Sequence, residues 1–154
     1  MPNWCANKVT FRHSDKAKLN AIVKAFSDDG FLEYLHPFPK DMEGTAISQA
    51  THWGTKWEIS GDADNWYENE DDNSLTFFFD SAWSPPVEAY EAAIATHGFQ
   101  IEASWCEPGM GFIGEFVDRE IIHYDFGDDI PSDLKKEYEW AFEEWEEQED
   151  DEEH

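Results

Sequence analysis

The stretch Phe77-Phe-Phe-Asp-Ser-Ala-Trp-Ser-Pro-Pro-Val87 constrains this chain more than any other. The apolar run from Leu75 to Phe79 has the length and aromatic content of a buried strand. It leads straight into a helix start: Ser84 is predicted at the N-cap and Pro85 at the first helical position, where a missing N–H costs no bond. The helix then carries Val87, Tyr90 and Ile94 on its inner face and should stop at His97-Gly98.

The rest of the chain repeats that alternation of strand and helix. Lys8-Val-Thr-Phe-Arg12 has the two-residue period of a strand with one buried face. Ser14 and Asp15 offer caps for a helix bearing Leu19, Ile22, Val23 and Phe26 at helical spacing, ending at Asp29-Gly30. Phe31 to Thr51 reads as an irregular, aromatic-rich lid, because His36-Pro-Phe-Pro-Lys40 blocks helix and central strand alike. Trp57 and Ile59 alternate as a short strand, and Asp62 to Asn73 reads as a polar hairpin or wide turn.

Beyond the central helix, Phe99–Trp105, Phe112–Val117 and Glu120–Phe126 form a three-strand meander, turning at Glu107-Pro-Gly-Met-Gly111 and Asp118-Arg119. A last helix opens at Asp129 or Pro131 and carries Leu134, Tyr138, Ala141 or Phe142, and Trp145 as an apolar stripe. Two strand–helix–strand halves imply an α+β, ferredoxin-like sandwich: a mainly antiparallel sheet with two helices on one face, plus an acidic C-terminal helix. The expected division is a domain over residues 1–127, then a helix and fraying tail over 128–154.

Charge restricts function more than fold. The chain has 36 Asp and Glu against 10 Lys and Arg, a net charge of -26. Such a surface repels nucleic acid and anionic membrane and attracts basic surfaces, which excludes a generic DNA-coating role. Met1-Pro-Asn-Trp lacks the basic and apolar regions of a signal peptide, and no run approaches the ~20 apolar residues of a membrane helix. The expected compartment is a reducing bacterial cytoplasm, with Cys5 and Cys106 as free, partly buried thiols.

Four motifs carry a resemblance: Met1-Pro-Asn-Trp-Cys-Ala-Asn7, Trp53-Gly-Thr-Lys-Trp57, Ala82-Trp-Ser-Pro-Pro86 and Glu107-Pro-Gly-Met-Gly-Phe-Ile-Gly114. In this order they resemble the YubB-like family of small phage- and plasmid-borne proteins with a ferredoxin-like domain. The likeness covers about residues 1 to 117; His52 departs from the family's more usual Asn, and the acidic C-terminal helix looks individual to this chain. The resemblance implies the fold and a mobile-element origin, and no reaction. The chain lacks the Cys cluster of an iron–sulfur centre.

Sites with chemistry are few. Trp4, Trp53, Trp57, Trp83 and Trp105 read first as core and lid, and second as a stacking or cation-binding cage. The six His never fall at i, i+4 on a helix, and the Asp62-Ala-Asp-Asn65 run has Tyr67 where a calcium loop needs Gly, so no metal or other cofactor is expected. No paired catalytic signature is present and no catalytic residue is assigned. A pocket formed by His52, Trp53, Lys56, Trp83 and Glu107, serving a small ligand or a reaction, is the alternative reading.

The densest signal is acidic. From Glu137 to Glu153, 11 of 17 residues are acidic and none is basic. As helix that is about one charge per 2.3 Å, against one per ~1.7 Å for duplex DNA. Glu137, Glu139, Glu143, Glu144, Glu146, Glu147, Glu149, Asp150, Asp151, Glu152 and Glu153 are therefore the candidate partner-binding residues, each a carboxylate standing where DNA has a phosphate. The expected partner is a basic host protein that processes DNA or serves defence. A merely solvated tail fits the same residues equally well.

Overall fold

The computed structural model describes residues 3–38, 46–55, 57–59, 65–69 and 72–143, without the side chains of 46–49. Its strands are β1 (Trp4–Arg12), β2 (Trp66–Asn69), β3 (Ser74–Ala82), β4 (Gln100–Glu107), β5 (Phe112–Val117) and β6 (Glu120–Asp125). Its helices are α1 (Lys16–Ser27), α2 (Phe31–Leu35), α3 (Ala46–Trp53), α4 (Val87–His97) and α5 (Ser132–Glu137). The six strands form one sheet in the order β2-β3-β1-β4-β5-β6, with every neighbouring pair antiparallel. β1-α1-β2-β3-α4-β4 is the ferredoxin-like plan, in which β1 lies between β3 and β4; β5 and β6 extend the sheet beyond it.

Alternation along the strands divides residues between two faces. On the helix-covered face, Phe11, Val9 and Asn7 of β1 lie opposite Ile101, Ala103 and Trp105 of β4, and Leu75, Phe77 and Phe79 of β3. Leu19, Ile22 and Phe26 of α1 and Val87, Ala89, Tyr90 and Ala93 of α4 close over them. Phe11 is fully buried and meets Phe31, Phe77, Tyr90 and Phe99 edge-on, with ring centroids 5.4 to 6.3 Å apart. Edge-to-face contacts of this kind add about 0.5–1.5 kcal/mol each beyond area burial.

Two expected helices form, each with one end as read. Asp15 caps α1, its carboxylate accepting from the Ala17 N–H at 2.9 Å. Gly98 ends α4 in the left-handed region at φ 77°. The expected meander is β4, β5 and β6, and the polar hairpin contains β2, whose Trp66 lies opposite Phe77.

Three local expectations are corrected. Residues 31–51 are not irregular throughout: they contain α2 and the larger part of α3. The Glu58 carboxylate accepts from the Leu32 and Glu33 N–H groups at 2.7 and 2.9 Å, stabilising the first turn of α2 from far along the chain. The short strand expected at Trp57 and Ile59 does not form: 57–59 are irregular, and Thr51–Trp53 finish α3. Ser84 does not cap α4, which begins at Val87 with Pro86 at its N-cap. Trp83, at φ 71°, swings the chain so that the Ser84 hydroxyl donates to the Gly54 carbonyl instead.

The C-terminal helix covers the sheet's other face. Leu134, Tyr138, Ala141 and Phe142 form a second core with Cys106, Ile113 and Phe126. The Phe126 and Phe142 rings stack at 4.5 Å, and the Tyr138 hydroxyl lies 2.9 Å from Ser104 Oγ. The helix is interrupted at Tyr138 and resumes over 139–143. Cys5 and Cys106 are both buried and free. Because Ala6 pairs with Cys106, the two thiols face opposite sides of the sheet. No described helix is long and apolar enough to cross a membrane.

Candidate functional site

The four motifs separated in sequence meet at one end of the sheet, where β1 begins and β3 and β4 end. The Asn3 carbonyl accepts from the Trp83 N–H at 2.8 Å. The Asn3 side chain lies so close to Gly109 that a Cβ there would sit 2.9 Å from it. Thr55 Oγ1 donates to the Ala82 carbonyl at 2.7 Å, and Gly54, at φ 88°, leaves room for the Pro85 carbonyl and Val87 amide, each 3.0 Å from where a Cβ would stand. Asn7 Nδ2 donates to Ser81 Oγ at 2.8 Å, and Ser81 Oγ donates to the Ser84 carbonyl at 2.7 Å. These bonds fix the exits of three strands relative to one another. Trp83 keeps its positive φ within this network, a strained conformation for a bulky residue, while its side chain stays exposed.

The residues expected to form a pocket are placed as follows. Trp53 is buried, and its Nε1–H donates to the His36 carbonyl at 2.8 Å. His52 stacks on His36 with centroids 3.6 Å apart, and its Nε2 lies 2.9 Å from the Pro37 carbonyl. Desolvation, then the neighbouring His52, pushes the His36 pKa down. Glu107 is 1% exposed and its two carboxylate oxygens accept from the Gly109 and Met110 N–H groups at 2.7 Å each, closing its own turn. Lys56 lies outside the described residues. The structure thus brings Trp53-Gly54 to the Trp83–Val87 segment, while His52, Trp53 and Glu107 are each engaged with backbone groups.

A different cleft opens beside these motifs. Trp4 and Trp57 form two of its walls, with ring centroids 6.2 Å apart and planes inclined by 52°. Among the described residues, Glu58, Asp80 and Ala82 also line it, around a volume of about 270 Å³. Trp4 is 50% and Trp57 41% exposed, in contrast to the buried Trp53 and Trp105. The core reading therefore holds for two of the five tryptophans, and the other three present indole surface to solvent.

Asp80 is the one residue of β3 left exposed. Partial desolvation by its surroundings pushes its carboxyl pKa up. Desolvation likewise raises Glu58, against the three backbone N–H groups that favour its charged form. Asp80 also lines a neighbouring groove of about 530 Å³ with Lys8, Phe78, Glu137 and Trp140. Lys8 and Glu137, an ion pair at 3.4 Å, separate it from a third depression of about 460 Å³ that reaches Ser104, Glu115 and Asp133. The three depressions share rim residues and run across the sheet face beside α5. Among the described residues no group of three His, Cys, Asp or Glu side chains is arranged to hold a metal ion.

Of the acidic candidates, Glu137, Glu139 and Glu143 are exposed on the C-terminal helix, and Glu137 is paired with Lys8. Glu144, Glu146, Glu147, Glu149, Asp150, Asp151, Glu152 and Glu153 lie outside the described residues. Sequence reasoning missed Asp80. The signal was there: it breaks the apolar run after Phe79 at a position in phase with Ala6 and Lys8 on the outer face.

Fold and site together define an α+β protein of ferredoxin-like topology whose accessible features are exposed tryptophans on an acidic surface. The family model for the ferredoxin-like domain in Api92-like proteins matches residues 64–154, more than half of the chain, and the chain belongs to that family. No curated protein and no solved structure matches it.

Proposed function

We propose that this is a non-enzymatic, cytoplasmic binding protein of a phage or plasmid that engages a basic, nucleic-acid-binding host protein through its acidic surface. The observation that carries the reading is the charge: -26 on 154 residues, with 11 of the 17 residues from Glu137 to Glu153 acidic and none basic. Internal pairing does little to neutralise it. Among the described residues the Lys and Arg ion pairs are Lys8 with Glu137, and Arg12 with Asp72 and Glu102. A helix continued from Glu143 would present carboxylates at a linear density comparable to that of DNA phosphates. Such a surface suits a groove built for DNA, so the protein acts as a DNA mimic or anti-defence factor. The likeness of its four motifs to phage- and plasmid-borne proteins supports the mobile-element origin.

The test compares the full chain with a full-length variant in which Glu144, Glu146, Glu147 and Glu149 are changed to Gln. Each is immobilised and offered bacterial lysate at low salt. The expected result is a DNA-processing protein retained by the parent, released by about 0.5 M salt, and weakly retained by the variant. Retention that ignores both salt and the substitutions would overturn the reading.

A further inference from the structure

The cleft between Trp4 and Trp57 has a chemistry that bulk acidity does not explain. Its volume, about 270 Å³, lies just below the roughly 300–1,000 Å³ of sites that enclose a small-molecule ligand, and suits a single side chain. Two partly exposed indoles, inclined to each other by 52°, supply π surface on which a flat cation can lie. Asp80 supplies a carboxylate at the rim. Among the described residues Asp80 has neither an ion-pair nor a hydrogen-bond partner, whereas Glu58 is already bound to the Leu32, Glu33 and Ile59 amides. Among the described residues the cleft therefore holds negative charge with no cation against it, between aromatic walls.

We propose that this cleft receives an arginine side chain of the basic partner, its guanidinium lying against Trp4 and Trp57 and its N–H fork meeting Asp80. Arginine is favoured over lysine for three physical reasons. Its guanidinium is planar and stacks on indole; it is weakly hydrated and loses less on leaving water; and it meets a carboxylate through two parallel bonds. Glu58, though engaged, adds a second negative charge to the cleft's potential. The groove beyond Asp80, lined by Phe78 and Trp140, then lies where the partner's chain continues. The assignment rests on the basic-partner reading and adds a specific anchor to it.

The experiment uses the full chain and two probes of equal length and charge, an oligo-arginine and an oligo-lysine peptide, with tetramethylammonium as a third. Binding is followed by the indole N–H signals of Trp4 and Trp57 in isotope-labelled protein. The expected result is a preference for the arginine peptide of roughly fivefold or more, accompanied by shifts of both signals. Asp80→Asn and Trp57→Ala should each erase that preference while leaving the weaker, salt-sensitive attraction of both peptides. Asp80→Asn preserves side-chain shape at an exposed position, so it remains informative if Trp57→Ala disturbs folding. Equal binding of the two peptides, unaffected by either substitution, would overturn the arginine cleft and leave the acidic-surface reading standing. Failure of both peptides to bind at low salt would overturn the acidic-surface reading as well. Tetramethylammonium moving both signals as strongly as the arginine peptide would reassign the cleft to alkylammonium groups.

Discussion

Glu107 shows how one residue acquires its role from its surroundings. An acid after an apolar strand is chemically open-ended, and only its acceptors and burial decide what it does. Here both oxygens are taken by the Gly109 and Met110 amides, inside a turn against which Asn3 packs closely. Glu107→Gln should therefore be a stability mutation. The amide –NH₂ would face one backbone N–H, losing one bond and opposing two donors at a buried site, a cost of about 1–3 kcal/mol. Urea unfolding would show a lower midpoint with an unchanged slope; a midpoint equal to that of the parent would indicate that the turn is not held by the carboxylate. Trp83 is a second case, since no pattern in the chain marks a bulky residue for positive φ. The bond from its N–H to Asn3, and the Ser84 bond to Gly54, impose that geometry from outside the local segment.

At the scale of elements, the C-terminal helix is the informative one. Its stripe of Leu134, Tyr138 and Ala141 or Phe142 is readable as amphipathic from spacing alone. What it covers is not, because Cys106, Ile113 and Phe126 come from elements that reach this face only after the sheet has formed. Phe142→Ala removes a buried ring that stacks on Phe126 and should cost about 3–5 kcal/mol. It should also expose Cys106, whose thiol pKa burial, followed by the charge of Glu107, pushes up to about 12. The parent should react very slowly with a thiol reagent at mildly alkaline pH and the variant much faster; equal rates would show that the helix does not shield the thiol. The element reading missed α2 and α3 and expected a strand at 57–59 for a related reason. Prolines and mixed polarity obscure any period there, and α2 takes part of its N-terminal stabilisation from Glu58, distant in sequence.

The whole molecule is dominated by its excess of negative charge. Self-repulsion opposes compactness, so thermal stability should rise as salt is increased from low millimolar to about 0.5 M, where screening is nearly complete at separations above a few ångströms. Titration of two partly desolvated acids acts in the same direction, opposed by His36 and His97, whose pKa values desolvation lowers in the folded state so that their protonation below neutral pH costs stability. Asp80 and Glu58 have carboxyl pKa values raised above their ordinary 3.8 and 4.5 in the folded state, chiefly by desolvation. Between the ordinary and the raised values the folded chain binds more protons than the unfolded one, so these groups make stability fall as pH rises through that window. Melting curves between neutral pH and about pH 5 should show a higher midpoint at the acidic end, with the difference shrinking in high salt. A midpoint that falls on acidification would mean that protonating His36 and His97, whose folded pKa values are lowered, outweighs the relief of repulsion.

The sequence by itself determined the alternation of strand and helix, the meander, the N-cap of α1 at Asp15 and the C-cap of α4 at Gly98, the two free thiols and the charge. These are properties of periodicity, of single residues with special backbone preferences, and of composition, all written locally in the chain. Only the tertiary structure decided that four separated motifs share one end of the sheet and that Glu107 and Trp53 turn inward. The same holds for Trp4, Trp57 and Asp80, which stand together as a cleft. Those outcomes depend on strand order and register, through which Trp4 lies opposite Ala82 and Ala6 opposite Asp80. Register is set by packing over the whole core, so residues far apart in the chain become neighbours through contacts that none of them specifies alone.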